Sequence, residues 1–597
     1  MQPREIYQQE LDNTRRALES ARVKRNILTG TKIALFIGMF LLLYLFARHE
    51  AAGYAWGAFL ALLLFVQANV IESKLLARVA FLRERGNIVE EEIAYLDGDI
   101  SRLDTGEEFR DQQHPCSHDL DLFGEASVFQ SINRAVTPHG KKILAAWLST
   151  QTLSGEEIRG RQEAAREMAG DPARGIDFRA TGRARSLDTL AVEHAARWQH
   201  EKTGFPRRWI PYIYALPAIV LAGWLLCLAG LISYGIPLSG SLLMLLIVAA
   251  RGREINRAHA RLDLFIRSFG TLHELVLLLA RTRPLARRSR ELHDALFGKE
   301  HDARVAFSAL HRALRGFDQR GNILAAFLLN GLYMKDLHLL LRLARWQEAH
   351  AASLPAWIDA IGEIDALVSL ANHAFNHPAY ATPVAREDVL MDATALGHPL
   401  IPDARRVTND FHVGDLHEFY IITGANMAGK STFLRSVGVS LAMAHCGCVV
   451  CATSFAFRPT RLFTSMRATD NLASGTSYFH AELLRLKQLV ERARGGERLF
   501  IILDEILKGT NSVDKLNGSL RFLDGLRALP VAGIIATHDL KLGDLAALHP
   551  RVYLNYCFEI SHEEDEIIYD YTLRPGISQN MNASILLEKM GLCQPVE

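Results

Sequence analysis

A chain of 597 residues exceeds the roughly 250–300 residues at which one hydrophobic core stops growing, so we expect several domains. Its 67 basic and 66 acidic residues leave a net charge of +1, which excludes a global positive field of the kind that attracts nucleic acid. The seven cysteines are too few for the disulfide framework of a small secreted domain.

The amino-terminal part of the chain holds two uncharged apolar runs, at about 31–48 and 54–71. Each approaches the roughly 20 residues that a helix needs to cross the hydrocarbon of a bilayer. Both runs lack the polar stripe of a helix on a globular surface, which argues against a buried core hairpin. We therefore predict a membrane hairpin with flanking charged helices over residues 1–110.

A second pair of apolar runs, at about 209–231 and 236–250, predicts another membrane hairpin, whose last segment is short. Lysine and arginine residues flank both pairs on the outside, whereas Arg48 is the one basic residue of this kind in the turns within the pairs. By the positive-inside rule, both hairpins enter from the cytoplasm and return to it. We therefore expect a multi-pass protein of the cell (inner) membrane whose large soluble parts are cytoplasmic.

A glycine-rich loop follows the buried strand predicted at residues 417–423, with the spacing G-x-x-x-x-G-K-S/T. Such a loop surrounds phosphate groups with backbone N–H groups, and the next helix adds the positive end of its dipole. Lys430 would reach the β- and γ-phosphates, and the Ser431 hydroxyl would bind Mg²⁺. The predicted nucleotide-binding residues are Gly424, Ala425, Asn426, Met427, Ala428, Gly429, Lys430, Ser431 and Thr432.

Cys446, Cys448 and Cys451 lie close together after this loop. Their setting is apolar and no second cluster of metal-binding residues follows, so we interpret them as a small buried hydrophobic cluster. A zinc site and a redox role are the alternatives.

Two carboxylates end the apolar run at residues 499–503. Asp504 is predicted to hold Mg²⁺ through water, and Glu505 to orient or deprotonate the attacking water. A third apolar run, 531–537, ends in His538, which is placed to sense the γ-phosphate; the alternative is an ordinary loop histidine. Parallel strands deliver their chemistry at their carboxyl ends. The predicted catalytic residues are Lys430, Glu505 and His538, and the predicted metal ligands are Ser431 and Asp504.

Ser474, Gly475 and Thr476 stand where the amino end of another helix is expected. Such an end binds anions, and the phosphate loop of the same subunit is already occupied, so we predict that these residues bind the nucleotide of a second protomer in trans. The loop after the carboxylates, with Asn511 and Asp514, is the predicted dimer contact. The expected cofactors are ATP and Mg²⁺, and the expected assembly is a homodimer.

Together, these motifs resemble those of the MutS family, whose members share an ABC-type ATPase. TGANMAGKST is similar to that family's TGPN-x-x-GKST, with Ala425 in place of the usual proline. DNLASGTSYFHAEL, ILDEILKGTNSVD and ATHDL occur in the family's order and spacing. An ABC transporter is the competing membrane ATPase, but it would carry LSGGQ, which is absent from this sequence.

The resemblance extends upstream of these motifs. Residues 122–148 are similar to the start of the family's core domain, and residues 363–374 and 397–400 to its exit into the ATPase. The implied fold class is multi-domain: transmembrane helical hairpins, an all-α core/lever domain and a carboxyl-terminal α/β ABC-type P-loop ATPase. The core/lever domain would cover 111–380, interrupted by the second hairpin, and the ATPase domain 381–597.

Mismatch-sensing relatives carry a large amino-terminal domain with a Phe-x-Glu wedge. Here Phe123-Gly124-Glu125 has that spelling but lies inside the start of the core domain, so we interpret it as coincidence and do not expect direct mismatch reading. The resemblance implies a dimeric, nucleotide-gated clamp that binds DNA and is related to mismatch repair. Residues 281–290, which are rich in arginine, could contact phosphate, although a solvated surface is the alternative. The alternative function is a membrane-bound, ATP-driven switch that acts on a protein or lipid partner.

Overall fold

The computed structural model describes residues 2–151, 153–184, 207–299, 302–318, 323–425, 428–467, 478–508, 510–563 and 566–579. The chain forms two compact units. The first comprises Met1–Leu96, Ala135–Lys141 and Asp171–Asp365, and the second comprises Asp97–Arg134, Lys142–Gly170 and Ala366–Glu597. Most of the segment 111–170, which we placed in the core/lever domain, therefore belongs to the same unit as the predicted ATPase domain.

Helices make up most of the described chain. In chain order they are α1 (Pro3–His49), α2 (Ala52–Leu96), α3 (Val128–Ile132), α4 (Pro138–Ser149), α5 (Gly155–Ala169), α6 (Pro172–Arg183), α7 (Ile210–Leu228), α8 (Gly235–Ala250), α9 (Gly252–Leu279), α10 (Arg287–Phe297), α11 (Ala303–Asp318), α12 (Ile323–Tyr333), α13 (Lys335–His350), α14 (Leu354–Asn376), α15 (Lys430–Cys446), α16 (Tyr478–Arg494), α17 (Ser512–Leu526) and α18 (Asp544–Leu548).

The strands form two sheets in the second unit. In chain order they are β1 (Val384–Ala385), β2 (Met391–Leu396), β3 (Asn409–Val413), β4 (Phe419–Gly424), β5 (Ser454–Phe457), β6 (Arg461–Ser465), β7 (Leu499–Asp504), β8 (Val531–Ala536), β9 (Tyr553–Glu563) and β10 (Glu566–Pro575). A mostly helical chain with mixed sheets agrees with the multi-domain fold class predicted from the sequence.

Helices α1 and α2 form a long antiparallel hairpin in the first unit. They contain 47 and 45 residues, so each is about 70 Å long, more than twice the roughly 30 Å of bilayer hydrocarbon. The apolar runs 31–48 and 54–71 lie at the connected ends of these helices. At the other end, Arg85 of α2 binds Glu10 of α1 at 2.5 Å and Asp177 of α6 at 2.8 Å. One hairpin thus has an apolar end and an ionic end.

Three helices of the described chain are long and apolar enough to cross a membrane, namely α1, α2 and α7. Helix α8, which corresponds to the fourth predicted segment, is apolar but has 16 residues. It pairs with α7: the Trp224 indole N–H donates to the Ser241 hydroxyl at 3.2 Å, and a Cβ atom at Gly240 would lie 2.8 Å from the Val220 side chain. The second hairpin is therefore closely packed.

The larger sheet of the second unit has the strand order β10-β9-β4-β8-β7-β6. Its strands β9, β4, β8, β7 and β6 are parallel, and β10 pairs antiparallel with β9 at one edge. The central strands β4, β7 and β8 are almost completely buried, as expected for uninterrupted apolar runs in a parallel sheet. The smaller sheet has the order β1-β5-β2-β3.

The segment Asp97–Arg134 is built into the second unit. The buried carboxylate of Asp119 accepts hydrogen bonds from the Thr464 hydroxyl at 2.6 Å and from the N–H groups of Met466 and Arg467 at 3.1 and 3.0 Å. The Phe123 ring is buried against Phe109 and Phe129, with ring centroids 5.8 and 5.4 Å away. A ring packed in this way is a core residue, which agrees with our interpretation of Phe123-Gly124-Glu125.

The three clustered cysteines are buried in the second unit. Burial raises the pKa of the Cys446 thiol to about 12, and it also raises the pKa of Cys448 and Cys451. Within the described ranges, no group of three or more His, Cys, Asp or Glu side chains is arranged to hold a metal ion. These thiols pack as small apolar side chains.

Candidate nucleotide site

The glycine-rich loop joins β4, in the middle of the larger sheet, to the amino end of α15. Gly424 and Gly429 both have backbone angles in the left-handed region, with φ of 144° and 104°. A Cβ atom would lie 2.6 Å from the Phe558 carbonyl oxygen at Gly424 and 2.9 Å from the Tyr571 ring at Gly429. These two positions therefore require glycine both for conformation and for space. The rest of the loop includes Asn426 and Met427, which lie outside the described residues.

Lys430 is the first residue of α15, and its ammonium group is buried beside the loop. It donates hydrogen bonds to the carbonyl oxygens of Gly424 and, at 2.8 Å, of Ala425. Burial lowers the pKa of Lys430 to about 8, against the opposing effect of the Asp504 and Glu505 carboxylates. The loop thus holds a positive charge that is poorly solvated and suited to pairing with an anion.

The two predicted metal ligands lie next to each other. The Ser431 hydroxyl donates a hydrogen bond to the Asp504 carboxylate at 2.8 Å. Ser431 is in the first turn of α15 and Asp504 is the last residue of β7, so the fold brings together residues 73 positions apart. Hydroxyl and carboxylate oxygens are the hard ligands that Mg²⁺ prefers.

Glu505 and His538 form a second pair, which also lies at the carboxyl ends of the parallel strands. The His538 Nε2 atom lies 3.1 Å from the Glu505 carboxylate, and its Nδ1 atom lies 3.5 Å from the Lys430 ammonium. An ammonium group only donates, so Nδ1 is the acceptor and Nε2 carries the proton that Glu505 accepts. Burial, and then the charge of Lys430, lower the pKa of His538, so the ring is neutral at pH 7. Glu505 is further fixed by a left-handed backbone, with φ of 54°.

The predicted dimer loop has a local role in the structure. Asn511 caps α17: its side chain accepts from the Asp514 N–H at 2.9 Å and donates to the Asp514 carboxylate at 2.6 Å. Both residues are exposed, so the cap leaves them accessible. The predicted trans residues Ser474, Gly475 and Thr476 lie outside the described residues. The trans site and the dimer contact therefore stay predictions.

Three further residues around the site were not identified from the sequence. Tyr571 reaches the loop because the pairing of β10 with β9 shifts register between Tyr569 and Leu573, and its own φ is 52°. His398 belongs to the stretch 397–400, which resembles the family's sequence. It lines the cavity beside the loop, and burial lowers its pKa to about 4. Buried Glu482 of α16 accepts from the N–H groups of Leu507 and Lys508, at 2.6 and 3.1 Å, and so holds the turn after Glu505.

Apart from Glu482, these groups line one cavity of about 440 Å³ at the carboxyl ends of the central strands. The lining of this cavity includes residues from 396–409 and Tyr571, together with Lys430, Ser431, Asp504, Glu505 and His538. The volume is in the range of small-molecule sites, roughly 300–1,000 Å³. The glycine loop, the buried ammonium and the paired oxygen ligands fit a nucleotide phosphate with Mg²⁺.

The same part of the chain resembles known proteins. A family model described as MutS domain V matches residues 420–592. The DNA mismatch repair protein MutS of Chlorobaculum tepidum is 32% identical over 237 residues, which are 38% of this chain and 26% of that protein. The protein of the same name from Myxococcus xanthus is 32% identical over 227 residues, covering 36% and 25%. Human MutS protein homolog 4 is 28% identical over 247 residues, covering 40% and 26%.

These matches cover 25% to 26% of each relative's length. The family model covers the segment that carries the glycine-rich loop, the two carboxylates and His538. Residues 420–592 of this chain therefore carry a domain V of the MutS type.

Proposed function

We propose that this protein binds and hydrolyses ATP with Mg²⁺ in the cavity between the glycine-rich loop and Tyr571. The proposal rests on one observation. Lys430, the Asp504–Glu505 pair and His538 follow three parallel strands, and they meet at the carboxyl ends of these strands. Each group has a distinct chemical role there. Apart from the adjacent Asp504 and Glu505, the groups come from separate segments of the chain.

Each side chain has a role that its environment supports. The loop N–H groups and Lys430 bind phosphate oxygens, and Ser431 with Asp504 would hold Mg²⁺, which supplies charge neutralisation for phosphoryl transfer. Glu505 accepts a proton from water, and the neutral His538 donates to Glu505 and keeps its carboxylate oriented. The positive φ of Glu505 aims its side chain differently from that of Asp504, although the two are adjacent.

We further propose that two copies form a clamp. Ser474, Gly475 and Thr476 of one protomer would complete the site of the other, with Asn511 and Asp514 near the contact. Asn511 and Asp514 are exposed, and they follow closely in the chain after Lys508, which lines the cavity; this supports the arrangement. ATP would then favour the closed dimer and hydrolysis the open one, because the triphosphate contacts both protomers only when they are closed.

The partner that the clamp holds is proposed by resemblance. The relatives from Chlorobaculum tepidum and Myxococcus xanthus are named for DNA mismatch repair, which favours DNA as the partner. The alternative is a protein or lipid partner at the membrane. The apolar helices α1, α2, α7 and α8 support a multi-pass protein of the cell (inner) membrane, with both described units' polar parts on the cytoplasmic side.

Two substitutions test the catalytic proposal in the full-length protein. Lys430→Ala should abolish binding of Mg-nucleotide, because it removes the charge in the loop. Glu505→Gln should bind ATP, remain in the dimeric state and lose turnover by about 10²–10⁴-fold, because a general base of this kind contributes that factor. Nucleotide affinity, steady-state hydrolysis and dimer mass in detergent are the measurements.

The matched controls carry the same chemical changes away from the cavity. Lys541→Ala alters an exposed lysine, and Glu497→Gln alters a glutamate that pairs with Arg492 before the start of β7. Both should leave affinity and turnover near the wild-type values. Normal hydrolysis by the Glu505→Gln protein would refute the role assigned to Glu505.

A further inference from the structure

Helix α12 (Ile323–Tyr333) is an apolar helix that the sequence motifs did not single out. It contains no charged residue, and its outward side chains are large and apolar. Their exposed fractions are 59% for Phe327, 53% for Leu328, 40% for Leu329, 40% for Leu332 and 44% for Tyr333. Contiguous apolar surface of this kind marks an interaction site rather than a water-facing surface.

The exposed face of α12 continues the apolar surface of the second hairpin. The helix packs against α7 and α8 within the first unit. At the contact with α8, a Cβ atom at Gly331 would lie 3.6 Å from the Leu245 side chain. The neighbouring outward residues of the hairpin include Leu242 and Leu246, which are 57% and 60% exposed. Whatever covers the hairpin therefore also reaches α12.

Aromatic side chains cluster around the carboxyl end of α12. The Tyr333 ring stacks on His338 at 4.2 Å, and His338 contacts the Tyr214 ring at 5.0 Å near the start of α7. At the same end of the hairpin, the Arg251 guanidinium lies 5.0 Å from the Trp209 ring. Tyrosine, tryptophan and arginine gather at the headgroup level of a bilayer. The side chains at this end of α12 therefore have the composition of the headgroup level.

Helices α11 and α13, which flank α12 in the chain, contact each other close to this end of α12. Gly316, near the end of α11, packs on Leu339, which follows His338: a Cβ atom at Gly316 would lie 2.5 Å from the Leu339 side chain. With 11 residues, α12 is about 16 Å long, half of the roughly 30 Å of hydrocarbon. It is too short to cross.

We propose that α12 is embedded among the acyl chains of the leaflet that adjoins α11 and α13, packed against the α7–α8 hairpin. This inference rests on the proposed membrane anchoring and adds a fifth, half-length element to it. Because α12 connects α11 to α13 directly, a displacement of those two helices moves a segment held in lipid. The helical unit is thereby attached to the bilayer at a point between the two helices that flank α12.

Nitroxide labels on the full-length protein in phosphatidylcholine–phosphatidylglycerol vesicles test this proposal. The label is placed by Leu328→Cys, in a background in which Cys227 and Cys593 are alanine. Collisions with oxygen, which partitions into lipid, are compared with collisions with a water-soluble nickel chelate. Leu242→Cys on α8 is the lipid reference, and Val305→Cys on α11, where the side chain is 63% exposed, is the water reference. The oxygen-to-nickel ratio at Leu328 should match that at Leu242 and exceed that at Val305 several-fold.

The references separate the possible failures. A ratio at Leu328 equal to that at Val305, with Leu242 still in lipid, would overturn the embedding of α12 and leave the anchoring of the hairpin intact. A water-like ratio at both Leu328 and Leu242 would overturn the anchoring as well. Leu332→Cys is a second position on the same exposed face, in case the first label prevents folding, and a single symmetric elution peak in detergent reports a folded protein.

Discussion

Protonation of the buried Lys430 ammonium group affects both the free energy of unfolding and the free energy of the proposed nucleotide binding, so both should depend on pH. Burial lowers its pKa to about 8 from 10.5, so between these values the unfolded chain binds more protons than the folded one. The contribution of this residue to the free energy of unfolding therefore rises with pH in that window. The proposed nucleotide binding should have the opposite dependence, because phosphate oxygens require the charged form.

We expect the dissociation constant for Mg-nucleotide to increase by up to about tenfold from about pH 8 to about pH 9, since each binding event then takes up one proton. Equilibrium titration with a fluorescent, non-hydrolysable nucleotide over this range measures it. Lys430→Arg is the control: the guanidinium stays charged, so its affinity, although weaker, should be nearly independent of pH. An equally steep dependence in the Lys430→Arg protein would assign the proton to another group.

The residues of the candidate site differ in how far the sequence could predict them. Lys430, Ser431, Asp504 and Glu505 stand in motifs with short spacing, so their proximity follows from a parallel sheet. Tyr571 could not be placed, because it depends on a register shift between two strands. The burial of Glu482 could have been predicted from the sequence. Glu482 shares one face of α16 with the buried Leu486 and Leu489, and an acidic side chain on an apolar face usually has a hydrogen-bond partner.

At the scale of elements, the segment before α3 acts as part of the second unit. Asp119 accepts three hydrogen bonds from the end of β6 and the residues after it, and Asp121 pairs with Arg467 at 2.6 Å and with Arg435 of α15 at 3.4 Å. This segment therefore links the helix after the glycine-rich loop to the end of an edge strand. Such a link depends on side chains far apart in the sequence.

Asp119→Ala should lower the stability of the second unit by about 2–4 kcal/mol, because it leaves buried donors without a partner at about 1–3 kcal/mol each. Thermal unfolding of the full-length protein in detergent measures this, using the transition that moves upward when nucleotide is added. Asp119→Asn, which keeps an acceptor, should lose less, and the exposed Glu125→Ala should change little. An unchanged transition in the Asp119→Ala protein would contradict the role of this carboxylate.

The elements themselves were easier to predict than their grouping. Uninterrupted apolar runs predicted β4, β7 and β8 and the apolar parts of α1, α2, α7 and α8, since periodicity and length are local properties. The grouping of residues 97–134 and 142–170 with the carboxyl-terminal unit is not local. It follows from contacts such as that between Asp119 and Thr464, which no pattern within either segment encodes. Helix α12 was also missed, because 11 residues are too few to stand out as a membrane span.

At the scale of the whole molecule, the net charge of +1 means that DNA binding would depend on a local basic surface. The stretch at residues 281–290 is one, but it is partly neutralised: Arg288 binds Glu363 through two hydrogen bonds of 2.6 Å, and Arg287 binds Glu291 at 2.9 Å. The exposed Arg281 and Arg283 are the better candidates for phosphate contacts. The alternative partners, protein or lipid, would not need them.

If DNA is the partner, the logarithm of the affinity should fall linearly with the logarithm of the salt concentration. Replacing both Arg281 and Arg283 by alanine should reduce that slope by about two, because each phosphate contact contributes about 0.9. Fluorescence anisotropy with labelled duplex, branched and single-stranded DNA provides the measurement, and Arg288→Ala is the control. Absence of binding to all three at low salt would favour the protein or lipid partner.

The contact between Asp119 and Thr464 also constrains how the protein is made. The two residues are 345 positions apart, and the second predicted membrane hairpin lies within that interval. At about 5–20 residues per second, Asp119 leaves the ribosome roughly 20–70 s before the strand that it binds. During that time the segment lacks the strand that it binds, and the proposed second membrane hairpin is synthesised. We therefore expect the segment around Asp119 to complete its fold only after β6 has been synthesised.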